Sequence, residues 1–172
     1  MIVPVPEDQA AGDGLDGFTH LDPAGRARMV DVGGKDVTLR RAVARAVILV
    51  ETATAEALVT GSVSKGDVLA VARVAGIQAA KRTAEMIPMC HPIRLSSVTV
   101  DLVVGEDRVD VEAVVEALDR TGVEMEALTA CAMAALTVYD MCKALDRSMV
   151  VETLRLEEKS GGRSGNWERS ST

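Results

Sequence analysis

Four short stretches of this chain carry side chains suited to proton transfer or anion binding. The first is Asp140-Met141-Cys142-Lys143, set in an otherwise apolar run. At 100° per helical residue, Thr129, Asp140 and Lys143 fall within about 60° of one another. Asp140 and Lys143 stand at i, i+3 and can touch. A lysine beside a carboxylate can move protons or hold a phosphate. The same spacing also makes an ordinary surface ion pair. The second stretch is Met89-Cys90-His91-Pro92. An imidazole is the side chain best placed for proton transfer near neutral pH. No third or fourth ligand stands at a familiar metal spacing, so a tight turn with a buried cysteine is the plain alternative. The third is Lys65-Gly66-Asp67, a lysine at a helix entrance, where backbone N–H groups favour anions. It lacks the spaced glycines and GK[ST] ending of a Walker loop, and a solvated lysine reads the same way. The fourth is Lys159-Ser160-Gly161-Gly162-Arg163-Ser164-Gly165, a basic glycine-rich loop able to wrap a phosphate chain, or simply a tail. Lys35, Arg40 and Arg41 add further basic groups. Glu124 and Glu126 open the last helix, where the dipole favours first-turn carboxylates.

The elements that must position these groups alternate between helix and strand. Residues 26–32 read as a short strand. Residues 37–49 can be helix or strand, and strand is favoured, with Thr38, Arg40, Ala42, Ala44, Ala46 and Ile48 on one face. Residues 51–60 read as a short helix and 66–86 as one long helix stopped by Pro88. Residues 95–104 and 109–118 are strands joined by a turn over 105–108. In the second of these, Val109, Val111, Ala113 and Val115 alternate with Asp110, Glu112, Val114 and Glu116, a half-exposed sheet pattern. Residues 123–145 are the clearest helix, and 149–157 the last strand. Setting the short helix aside, the order from residue 37 is βαββαβ. That predicts an α+β, ferredoxin-like antiparallel sheet with helices on one face. A sheet face left bare would favour self-association. One domain over 18–159 is expected, between an N-terminal tail (1–17) and a Gly/Ser-rich C-terminal segment (160–172).

Composition narrows the function. The chain has 172 residues, enough for one domain with its own core. Its net charge is −7, which argues against a general nucleic-acid binder. Aromatic residues make up 2%, too few for a base-stacking platform. No apolar run approaches the roughly 20 residues of a membrane span, and no signal-peptide pattern opens the chain. The three cysteines, Cys90, Cys131 and Cys142, form no C-x-x-C pair. Cys131 and Cys142 would lie roughly 16 Å apart on one helix, too far for a disulfide. The expectation is a protein of a reducing, cytoplasmic compartment. An acidic chain with basic residues gathered near motif ends suits a small phosphorylated ligand better than a polymer.

Five ordered stretches then carry a specific resemblance: FTHLDPAGRARMVDVGGKDVTLRRA, KGDVLAVARVAGIQAAKRTAEMIPMCHP, TGVEMEALTA, LTVYDMCKALD and LEEKSGGRSG. Spread from Phe18 to Gly165, they closely resemble the molybdenum-cofactor biosynthesis protein C family of cyclic pyranopterin monophosphate synthases. The resemblance implies a ferredoxin-like subunit in a homohexamer, a trimer of dimers, with each active site drawing residues from two chains. It implies a lyase that rearranges (8S)-3′,8-cyclo-7,8-dihydroguanosine 5′-triphosphate, a cyclised dihydro-GTP, to cyclic pyranopterin monophosphate and diphosphate. A radical SAM enzyme would supply the substrate. No bound cofactor is implied, and Mg²⁺ would come only with the substrate triphosphate. Carried over residue by residue, the catalytic groups are Asp140, Lys143, Lys65 and His91. Met89 and Cys90 share a substrate-contact segment with His91. Glu124, Met125 and Glu126 form a second, and Lys35, Arg40 and Lys159 match basic positions near the phosphates. Met89 stands where leucine is common, a nearly volume-conserving change. A non-catalytic purine-triphosphate-binding paralogue and a scaffold within a cofactor-assembly complex are the alternatives. The intact Lys65, His91, Asp140 and Lys143 weigh against the binder.

Overall fold

The computed structural model describes residues 24–170, in two units that divide after Asp31. The expected tail over 1–17 lies outside the described residues. In the first unit, residues 24–31 turn at Gly25 (φ 73°) and hold a single bridge residue, Ala27. The strand expected over 26–32 does not form. Nearly every residue there is exposed, so no buried face holds an extended run in place.

The second unit has nine elements: β1 (Thr38–Leu49), α1 (Thr52–Thr60), α2 (Val68–Ala80), α3 (Thr83–Met86), β2 (Leu95–Val104), β3 (Arg108–Asp119), α4 (Glu124–Cys142), β4 (Val150–Ser160) and β5 (Trp167–Glu168). The sheet order is β2-β3-β1-β4-β5, with every pair antiparallel. The first four strands have the predicted ferredoxin-like arrangement. β5 is an addition within the expected C-terminal segment. It folds back on β4 by pairing Trp167 with Lys159 and Glu168 with Glu158.

Strand character over 38–49 follows from two facing partners. Ala42, Ala44, Ala46 and Ile48 pair with Val115, Ala113, Val111 and Val109 of β3, and all eight are buried. On the opposite face, charged side chains pair across strands: Arg45 with Glu112 at 2.6 Å, and Arg41 with Glu158 at 2.9 Å. β4 carries an irregularity between its partners Val43 and Ala44, where Glu157 is the extra residue.

The core is built of alanine, valine, cysteine and a little methionine, as the scarcity of rings requires. Small residues let helices approach closely. A Cβ placed on Gly76 of α2 would lie 2.9 Å from the Ala130 carbonyl of α4 and 3.2 Å from Val100 of β2. By length and mean hydropathy (1.2) α4 matches a membrane span, but half of that stretch is buried in the domain. It is the core helix lying across the sheet. Asp146, also buried, accepts from the Glu51 N–H that opens α1 (2.8 Å) and from the N–H and hydroxyl of Ser148 (2.8 and 2.7 Å).

The long helix expected over 66–86 is two helices. Asp67 caps α2 by accepting from the Ala70 N–H at 3.0 Å, so the helix begins at Val68. At its far end the Thr83 hydroxyl donates to the Ala79 and Ala80 carbonyls (3.3 and 3.1 Å), competing with helix continuation. The chain bends at Arg82 (φ −118°) before α3. α4 stops at Cys142, three residues before the expected end, and β4 ends three residues beyond its expected end.

Candidate active site

At the C-terminal end of α4 three charged side chains meet. Lys65 lies in the connection before α2, where Gly66 takes a left-handed φ of 96° that a side chain would resist. Its Nζ donates to the Asp140 carbonyl at 2.8 Å and to Asp140 Oδ2 at 3.0 Å. Lys143 Nζ donates to Asp140 Oδ1 at 2.7 Å. The hydrogen bond from Lys143 and then that from Lys65 hold the Asp140 carboxyl down at about 2. A carboxylate between two ammonium groups fixes their separation and leaves each ammonium further N–H bonds for a ligand. The i, i+3 contact read from the sequence is therefore present, and Lys65 joins it across 75 positions of chain. Thr129 shares their helix face but lies about 16 Å back along the axis, outside the cluster.

The opposite end of α4 holds a different set. Glu126 is 3% exposed. Burial, reinforced by the nearby Glu124 carboxylate, pushes its carboxyl up to about 7, against the pull of its own backbone N–H. The Cys90 thiol is raised first by burial and then by the Glu126 charge. Met89, Cys90 and His91 are half-buried, and the turn is closed by the Cys90 N–H on the Ile87 carbonyl at 3.0 Å. Met125, between the two glutamates, points outward and is exposed. Cys131, in mid-helix, donates its thiol to the Ala44 carbonyl at 3.3 Å, and burial pushes it up to about 12, so it is core.

Next to this end is a cavity of about 470 Å³. Its cationic lining is Lys35, Arg40, Arg41, Arg120 and Arg163, against Asp36 and Glu124. The Ser160–Ser164 backbone closes one side. Arg40 is 8% exposed and donates Nε to the Asp119 carbonyl and Nη2 to the Arg120 carbonyl, both at 3.1 Å. Gly161 and Gly162 have positive φ (94° and 74°) and pass so close that a Cβ on Gly161 would overlap the Leu39 carbonyl and one on Gly162 the Arg40 Nη1. Thr38 Oγ1 is buried at this cavity with no hydrogen-bond partner among the described residues. Lys159 stands just behind, with Nζ donated to the Ser164 hydroxyl, and does not line the space.

The expected site residues thus fall into separate groups within one chain. Lys65, Asp140 and Lys143 sit at one end of α4. Lys35, Arg40 and Glu124 sit at the other, about 24 Å along the helix axis, and Glu126, Met89, Cys90 and His91 do not line the cavity there. Glu124 and Glu126 are about 200° apart around the helix, so one faces the cavity and the other the interior. Arg120 and Thr38 were not among the site residues expected from the sequence. The available signal for Arg120 was a cation at a strand end, four residues before the helix that opens with Glu124.

Comparison with known proteins gives a consistent result. Residues 29–162 match the MoaC family. The chain is 55% identical over 157 residues to the cyclic pyranopterin monophosphate synthase of Chloroflexus aggregans, covering 90% of this chain and 95% of that one. It is 57% identical over 153 residues to cyclic pyranopterin monophosphate synthase 3 of Mycobacterium tuberculosis (88% and 86% covered). It is 53% identical over 170 residues to the Streptomyces avermitilis synthase (99% and 100% covered).

Proposed function

The chain belongs to the MoaC family and catalyses cyclic pyranopterin monophosphate synthesis, a lyase reaction, and we propose that it does so at a site built from both ends of α4. The substrate is the cyclised dihydro-GTP, and the products are cyclic pyranopterin monophosphate and diphosphate. The reaction needs proton transfers at nitrogen and attack on the α-phosphorus with diphosphate leaving. Lys65 and Lys143 move protons and stabilise developing negative charge, while Asp140 holds the two ammonium groups at a fixed spacing. His91 is the further proton-transfer group, through its imidazole. The cationic cavity with Lys35 and Arg40 neutralises the triphosphate. Mg²⁺ arriving with that triphosphate belongs to the substrate.

The observation that carries this reading is the Lys65–Asp140–Lys143 cluster, open to solvent and about 24 Å along α4 from the phosphate cavity. A single nucleotide cannot span both ends of one helix. A second copy of the chain, related by a two-fold axis, can bring the lysine cluster of one subunit to the cavity of the other, giving two complete sites per dimer. A trimer of such dimers is the assembly we propose, in the cytoplasm, downstream of a radical SAM enzyme. Exposed apolar residues on α4, Met125 and Leu136, supply surface for such a contact. The test is incubation of the purified chain with the cyclised dihydro-GTP, following diphosphate and the pterin by chromatography. Wild type forms both products, and the Lys65→Ala/Asp140→Ala variant forms neither. Tight binding without product would mark a non-catalytic binder. Light scattering on a sizing column should give a hexamer, and a monomer at micromolar concentration would refute the shared site.

A further inference from the structure

The wall of the phosphate cavity is joined by guanidinium groups. Arg40 holds the backbone at Asp119 and Arg120 through Nε and Nη2. Arg120 in turn donates its own Nε to the Lys35 carbonyl at 3.1 Å, across 85 positions of chain. Within the Lys35 loop the Lys35 N–H donates to the Val32 carbonyl at 3.1 Å. Strand pairing ties Thr38 to Asp119 at the end of β3, and the Arg120 bond adds a second tie three residues earlier, at Lys35. Arg120 is exposed, so filling the core is not its role. A guanidinium suits the task because its planar fork fixes the direction of the Nε–H on the backbone carbonyl, which a freely rotating lysine ammonium does not.

Resting on the reading of this cavity as the phosphate site, we infer that Arg120 is a positioning residue for phosphate binding, holding the Lys35 loop so that Lys35 lines the cavity. Arg120 then acts largely through Lys35, and the two are not independent cations. A double-mutant cycle on the full chain tests this, with inorganic diphosphate as the probe and calorimetry as the readout. Arg120→Ala and Lys35→Ala each weaken diphosphate binding by roughly tenfold or more. The double variant binds about as weakly as Lys35→Ala alone. Arg120→Lys, which keeps the charge and loses the fork, stays close to Arg120→Ala. In turnover assays KM rises by a larger factor than kcat falls, because the phosphate grip is common to ground and transition states. Multiplying single effects in the double variant, or wild-type affinity in Arg120→Lys, would overturn the inference and leave the cavity reading intact. Failure of the wild type to bind diphosphate would overturn both.

Discussion

Glu126 should make the protein less stable as pH rises through neutrality. The folded chain holds this carboxyl at about 7, against an ordinary value of 4.5, because it is buried and has the Glu124 charge nearby. Between those two values the folded state keeps a proton that the unfolded state has lost. The slope of unfolding free energy with pH is then negative, and stability present below 4.5 is lost as pH passes 7. At 1.36 kcal/mol per pH unit the interval amounts to roughly 3 kcal/mol. The perturbation is Glu126→Gln, which keeps the shape and cannot ionise. At pH 5, half a unit above the ordinary value, the variant should melt only about 2–3 °C higher than wild type. By pH 8 the variant should melt higher by roughly 6–12 °C, given about 2–4 °C per kcal/mol for a domain of this size. Paired thermal melts at the two pH values, monitored by circular dichroism, read this directly. A gap equal at pH 5 and pH 8 would show that Glu126 is not held protonated by its surroundings. A stabilised variant that has lost turnover would mean that this carboxyl is retained for function at a cost in stability.

Other parts of the account make equally definite predictions. Gly76→Ala presses a methyl against the Ala130 carbonyl and Val100, and should cost about 1–3 kcal/mol, read as a lower urea midpoint with unchanged slope. Gly162→Ala combines a left-handed φ of 74° with overlap on Arg40 Nη1, and should raise the substrate KM roughly tenfold by displacing that guanidinium. Asp140→Asn removes the negative charge between the two lysines, and should lower kcat by roughly 10²–10⁴ while leaving Tm close to wild type, because the cluster is exposed. An Asp140→Asn enzyme with normal kcat would remove Asp140 from the chemistry.

Much of the sheet was legible because its signal is local. Val109, Val111, Ala113 and Val115 alternate with charged neighbours, and the βαββαβ order follows from where such runs begin and end. What escaped depends on contacts made elsewhere in the fold. The break after α2 turns on one hydroxyl, that of Thr83, which a helical pattern does not reveal. The run over 26–32 has strand composition but no buried face to hold it. β5 has two residues, too few for any periodicity, and exists because it pairs with Glu158 and Lys159. At the site, the Asp140–Lys143 spacing showed one ion pair, and Lys65 stood out as a cation at a helix entrance, but nothing in the spacing brought the two together. The role of Arg120 is made by backbone carbonyls, and the state of Glu126 by burial. A cation at a strand end and a glutamate in a helix's first turn do not by themselves specify either role.

The most direct test of the shared site is subunit complementation. Lys65→Ala removes the lysine cluster and leaves the cavity, whereas Arg40→Ala removes the cavity's buried cation and leaves the cluster. Each variant alone should be inactive. Co-expressed in equal amounts with different affinity tags, and purified through both tags in turn, they form mixed hexamers in which about half the dimers pair one variant with the other, and each such dimer has one site with both lesions and one with none. The account predicts about a quarter of the wild-type rate per chain. Mixed hexamers as inactive as either parent would place the whole site within one chain and contradict it.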